Sequence, residues 1–290
     1  MARVTRLAVA ILVFTIAGYE PAFADGLTYS LFDAVPAEAL RPMDTDRPNV
    51  TNTPHTIDAG HLQIETGLVD YAHFCDPASG SDDSSDMLVL GRMNFRLGLL
   101  DRLEANLVVD ARDFLWNRDN LARTKTAING PGDVIAGGKL NLWGDNGSDA
   151  PWATALALQP QVKIPAAPDM LGNGHPEYFV GLPFLVNLVD GFHLGLQTVV
   201  SQERNLANTG YVTGSENSAS LDRVFFEKFD IYLEYASHVT TERGAKSQQT
   251  VDLGTTYPMT DDIVLDTGIN VGLNRASRAV EWLAGFSVRF

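Results

Sequence analysis

The sequence predicts an all-β fold, a transmembrane antiparallel β-barrel of the bacterial outer-membrane type with about 12 strands and an N-terminal segment outside the barrel. Three observations carry this. The chain ends on a strand in which Val280, Trp282, Ala284, Phe286, Val288 and Phe290 are apolar while Glu281, Gly285, Ser287 and Arg289 are not. The same period of two runs through most of the chain, as side chains alternating across a sheet require. The connections alternate between long polar loops and short turns, which such barrels place outside and in the periplasm respectively.

At the front, Arg3 and Arg6 precede an apolar run over 7–17, followed by Ala22-Phe23-Ala24 in the small-x-small pattern of a signal-peptidase site. The run is shorter than the roughly 20 apolar residues of a membrane-spanning helix. The reading is therefore a signal peptide over 1–24, an N-terminal periplasmic or plug segment over 25–60, and a barrel over 61–290, exported to the outer membrane of a Gram-negative bacterium. Losing Arg3, Arg6 and Glu20 makes the mature chain one unit more acidic than the formal −15 of the whole sequence. That balance excludes nucleic acid as a partner, since phosphate binding depends on Lys and Arg. One cysteine, Cys75, excludes an internal disulfide; its Asp, Ser and Gly neighbours place it in a loop.

Taken in order, alternation marks strands over 62–68, 103–110, 152–164, 178–188, 192–200, 231–239, 251–257 and 263–274. Trp152, Thr154, Leu156, Leu158, Val162 and Ile164 oppose Gln159, Gln161 and Lys163. After Ala219 the pattern is weakest, because Leu221, Arg223 and Phe225 do not sort by face. Loops are expected over 75–85, 116–130, 166–174, 203–218, 241–247 and 275–277. Turns are expected over 100–102, 144–150, 190–191, 227–229 and 258–261. Trp143 and Trp152 at one rim, with Trp282, Tyr71 and Tyr178 near the other, suit the aromatic girdles of a membrane barrel.

On this register Glu65, Arg92, Arg96, Glu104, Asp110, Asp133, Lys139, Lys163, Glu177, Glu234, Asp252, Asp266, Glu281 and Arg289 face inward. A soluble barrel would fill those positions with an apolar core, so the apolar face must point into lipid. Each inward charge reads first as part of an ion pair bracing the wall. The segment over 25–60 lacks periodicity and carries Asp44-Thr45-Asp46-Arg47-Pro48. It is either a periplasmic extension or a plug folded into the lumen, where Asp44, Asp46 and Arg47 would meet Arg92, Lys139, Glu104 or Asp266. The candidate lumen and binding residues are thus Asp44, Asp46, Arg47, Glu65, Arg92, Arg96, Glu104, Lys139, Lys163 and Asp266.

Thr45-Asp46-Arg47-Pro48 leading into Gly60-His61-Leu62-Gln63-Ile64-Glu65-Thr66-Gly67 resembles the outer-membrane family labelled "putative MetA-pathway of phenol degradation". Gly132-Asp133, Ile164-Pro165, Glu234-Tyr235 and the strand from Asp266 and Gly268 to Gly272-Leu273-Asn274 are similar to that family as well, so the resemblance covers nearly all of the mature chain. It implies a closed outer-membrane barrel and a role in moving small, often hydrophobic or aromatic, molecules.

No catalytic residue, cofactor or metal is expected. His193 and Ser201 lie on one strand too far apart to touch at roughly 3.3 Å per residue, and the histidines show no metal-ligand spacing. Strand glycines such as Gly67, Gly268 and Gly285 are expected to ease curvature or lumen crowding. The expected partners are outer-membrane lipid and lipopolysaccharide, a small-molecule solute, and the barrel-assembly machinery through the terminal Phe290. Two alternatives stay open: a structural or surface-interaction barrel whose Asp76, Asp82, Asp83 and Asp86 bind cations or lipopolysaccharide, and a membrane enzyme.

Overall fold

The computed structural model describes residues 28–76, 83–120, 122–144, 148 and 150–290. The expected signal peptide and the acidic residue Asp82 lie outside them. Thirteen strands form one antiparallel sheet: β1 (Leu62–Asp76), β2 (Asp83–Leu100), β3 (Leu103–Asp119), β4 (Thr124–Gly130), β5 (Val134–Trp143), β6 (Thr154–Ile164), β7 (Glu177–Asn187), β8 (Phe192–Arg204), β9 (Tyr211–Phe225), β10 (Phe229–Thr240), β11 (Gln248–Thr260), β12 (Ile263–Gly272) and β13 (Val280–Arg289). Both β4 and β5 pair with β3, on its far and near halves, so they share one wall position and the barrel has twelve. It closes where β1 pairs with β13 on one edge and β2 on the other. At the seam the Phe290 amide donates to the Leu62 carbonyl at 2.8 Å.

The wall is inverted relative to a soluble sheet. Along β7, Tyr178, Val180 and Leu182 are exposed while Glu177, Gly181 and Pro183 are buried. Leu233, Leu253, Leu265 and Trp282 are exposed; Glu234, Asp252, Asp266 and Ser287 on the same strands are not. An outer surface of this kind belongs in hydrocarbon, where a misplaced Lys or Arg costs about 2 to 4 kcal/mol at the midplane.

Several strands are longer than alternation suggests. The expected loop over 116–130 is mostly hairpin: β3 runs to Asp119 and β4 resumes at Thr124. The expected loop over 203–218 shrinks in the same way, because β9 begins at Tyr211 and pairs with β8 from there. The weak stretch after Ala219 is regular strand, paired on both sides. Cys75, Asp76, Asp83 and Asp86 lie in the β1–β2 hairpin rather than in a loop. Pro258 continues β11, with a register shift, instead of opening a turn. These segments carry polar residues on both faces, Thr124, Lys125 and Thr126 for example, so backbone pairing persists where there is no apolar face to reveal it.

Beta-1 also contains an irregularity. Its register with β13 shifts between Gly67 and Val69 while that with β2 is kept, and Leu68 and Val69 are both exposed. An extra residue in one strand reverses which parity faces inward. Glu65 before it and Asp70 after it therefore share the lumen face.

Candidate functional site

Residues 28–61 precede β1, and from Asp44 to Asp58 the chain crosses the lumen. Its backbone donors and acceptors are taken up by wall side chains, as groups withdrawn from water require. The Val50 and Thr51 amides donate to the Glu234 carboxylate at 2.8 and 2.7 Å, and the Thr51 hydroxyl donates to it at 2.5 Å. The Asn52 amide donates to Gln197 Oε1 at 2.9 Å, while Gln197 Nε2 donates back to the Val50 carbonyl at 3.1 Å. Asn52 Nδ2 donates to Gln159 Oε1 at 2.9 Å and Asn141 Nδ2 to the Pro54 carbonyl at 3.1 Å. The Ile57 amide donates to Glu104 Oε2 at 2.9 Å.

Opposite the Glu234 wall lies a network of charges. Lys139 Nζ donates to both Asp46 carboxylate oxygens, at 2.8 and 3.1 Å. Arg96 binds Glu104 through Nε at 2.9 Å and Glu65 through Nη1 at 2.8 Å, and its Nη2 donates to the His55 carbonyl at 3.0 Å. Arg96, Lys139 and Glu65 are wholly buried, so each charge is tolerable only because it is paired.

Arg47 is held separately, at the closure seam. Its Nη2 lies 3.1 Å from Asp266 and 3.5 Å from Asp70. Burial alone would lower its pKa, but those two carboxylates outweigh it and hold the guanidinium above its ordinary value. Gly67 and Gly285 are cross-strand partners at this point. A Cβ on Gly67 would stand 2.7 Å from Arg47 Nη1, and one on Gly285 2.8 Å from Nη2. The paired glycines form a notch that receives the guanidinium, a more specific role than easing curvature.

Of the residues singled out in the sequence, Asp46, Glu65, Arg96, Glu104 and Lys139 meet in the network and Arg47 meets Asp266. Asp44 turns away to His55 Nδ1 at 2.8 Å and to the Thr53 hydroxyl. Burial would raise the Asp44 pKa, yet the His55 and Thr53 contacts, with Arg96 nearby, hold it below the ordinary carboxylate value. Arg92 pairs within the wall with Asp110 at 3.3 Å. Lys163 pairs with Glu177 at 2.8 Å and Asp133 at 3.5 Å, near the long-loop end. Asp70 was hidden from sequence reading by the irregularity after Gly67. Gln159 and Gln197 are neutral and carry no signal of their own; their place on the polar face of an alternating strand was the one available hint.

Two cavities flank the segment, and Arg47, Asn49 and Asn52 line both. The one toward the short turns has a volume of about 450 Å³ and reaches His193, Asp222 and Lys228. The one toward the long loops, about 400 Å³, reaches Phe179, Glu216 and Arg278. His193 Nδ1 is 2.9 Å from Asp222, on the wall facing the first cavity. Among the described residues no group of three or more His, Cys, Asp or Glu side chains is arranged to hold a metal ion.

An outer-membrane channel from Pseudomonas putida F1 shares this fold with a TM-score of 0.57 at 11% identity, over 79% of this chain and 94% of that one. The KdgM porin (TM-score 0.46, 12% identity, 79% and 99% covered) and the NanC porin (0.45, 12%, 78% and 98%) are looser likenesses. No curated protein matches the sequence. Residues 45–290 match the sequence family described as "Putative MetA-pathway of phenol degradation", a match that begins within the Asp44–Pro48 motif and runs to the last residue. The chain belongs to that family.

Proposed function

We propose that the protein is an outer-membrane channel for small solutes, hydrophobic or aromatic compounds among them, whose lumen the N-terminal segment divides into two vestibules. The carrying observation is the pair of cavities on either side of that segment inside a closed wall. A barrel alone does not imply transport, but a merely structural barrel has no use for a polar lumen with a cavity at each end. The family description associates its members with phenol degradation, which is the support for aromatic solutes. The long loops face the cell exterior and the short turns the periplasm in this reading, and lipid and lipopolysaccharide surround the apolar belt.

Reconstitution in planar bilayers with and without residues 25–60 tests this, followed by liposome uptake of an aromatic compound and of a sugar. Conductance that rises on deletion, with uptake of the aromatic, is expected; an electrically silent barrel under both conditions makes the protein a structural or surface-interaction barrel. Phe290 is two-thirds exposed at the seam, in position to be read by the assembly machinery. Phe290→Asp should lower outer-membrane yield, and unchanged yield removes that partner. Tags at Asp83 and Asn208 should be reachable on intact cells.

A further inference from the structure

The loop-side cavity is two-sided. One wall is apolar although it faces the lumen: Val108 on β3, Ile135 on β5, Phe179 on β7 and Val199 on β8 all line it. Val108 and Ile135 are cross-strand partners, and Val199 is the partner of Glu216. Together these four side chains make an apolar patch on a wall whose lumen face is mostly polar.

The facing wall on β9, β11 and β12 is rich in hydrogen-bond acceptors that lack donors. Among the ions lining the cavity, Asp46 pairs with Lys139, Glu65 with Arg96, Asp70 with Arg47, Arg92 with Asp110, and Arg278 with Glu281. Glu216 is the lining carboxylate with no ion pair among the described residues; its cross-strand neighbour His238 is engaged with Glu203 at 3.2 Å. Asn270 is 4% exposed and lines the cavity, yet its Oδ1 has no hydrogen-bond partner, because its Nδ2 is committed to Glu281. Asp252, the cross-strand partner of Asn270, is 1% exposed and has an unpartnered Oδ1, its other oxygen accepting from the Thr250 hydroxyl. An amide oxygen and carboxylates accept and cannot donate when ionised. What satisfies the lining acceptors Glu216 and Asn270 must bring N–H or O–H groups, and a positive charge satisfies Glu216 best.

We propose that the loop-side cavity is a selectivity site for small amphipathic amines, solutes with an ammonium head and an apolar body. The head lies against Glu216 and Asn270, and the body against Phe179, Val199, Ile135 and Val108. The proposal rests on the channel reading for the route of the solute, but binding itself does not require conduction.

The test is therefore calorimetric binding to the purified full chain in neutral detergent, using three probes of one shape: 2-phenylethylammonium, 2-phenylethanol and phenylacetate. The ammonium should bind about tenfold tighter than the alcohol, as one hydrogen bond to a charged group supplies, and phenylacetate should bind weakest. Glu216→Gln should abolish the difference between ammonium and alcohol. Phe179→Ala should weaken both probes alike. Equal binding of ammonium and alcohol by the wild type, or tighter binding of phenylacetate, overturns the proposal whatever the variants do. A barrel that prefers the ammonium yet never conducts keeps the site and loses the channel, so the two failures are told apart.

Discussion

The two walls that grip the N-terminal segment do so by different means. On the β1–β5 side the contact is made by full charges: Asp46, Glu65, Arg96, Glu104 and Lys139, wholly or almost wholly buried. On the β6–β10 side it is made by hydrogen bonds without a partner cation: backbone amides donate to Glu234 and Gln197, and the Asn52 side chain donates to Gln159. A buried ion pair is weak evidence of net stability but is costly to break, whereas a backbone hydrogen bond contributes about 1 kcal/mol and is lost piecemeal. The ion-paired side should thus fix where the segment sits, and the hydrogen-bonded side should follow its shape.

The sharpest way to break this contrast is Arg96→Ala, which strands Glu65 and Glu104 beside Asp46. Removing one partner of a buried pair costs about 3 to 5 kcal/mol, and three carboxylates left to share Lys139 should place this variant at the top of that range. The expected outcome is faster protease cleavage near Asn52 and higher conductance, with the heat-modifiable barrel band unchanged on gels. Arg47→Ala comes next, at about 3 kcal/mol, since its side chain keeps 14% exposure; the same assays should show a smaller release. Glu234→Gln keeps one acceptor for the backbone and should cost about 2 kcal/mol, as the loss of one hydrogen bond to a charged group does. If it frees the segment as fully as Arg96→Ala, the contrast between the walls is wrong.

The smallest effect is a pH dependence outside both walls. The Asp44 pKa is lowered in the folded chain. Its contribution is therefore present above the unfolded carboxylate value of about 3.9 and lost as pH falls through the lower, folded value. The Asp44 side chain is 44% exposed, so solvent screening keeps this small. Between about pH 5 and pH 3, wild-type protease sensitivity should rise slightly more than that of Asp44→Asn; identical slopes remove Asp44 from the account.

The inside-out wall was legible because alternation reports a sheet's two faces wherever one of them is apolar. That is why Glu65, Arg96, Glu104, Lys139 and Asp266 were placed in the lumen from their parity alone. The same rule fails in two physical situations. It cannot count across an extra residue, so Asp70, three residues beyond Gly67, is missing from the inward positions read from the sequence although it faces the lumen. It is also silent where both faces of a strand are wet, so 116–119, 124–130 and 211–218 read as loops. The partners of the segment's backbone were beyond reach for another reason: which Gln meets which amide depends on the path of a non-repeating chain, and no periodicity encodes that path.

The notch at Gly67 and Gly285 bears on timing. One glycine belongs to the first strand and the other to the last, and Asp70 and Asp266 reach Arg47 from either side of the junction. Until the two ends of the chain have met, the notch exists as two separate halves and Arg47 has no complete seat. The complete seat for this side chain therefore distinguishes a closed barrel from an open sheet. An open sheet should leave the N-terminal segment loose and cleavable by added protease, and closure should withdraw it.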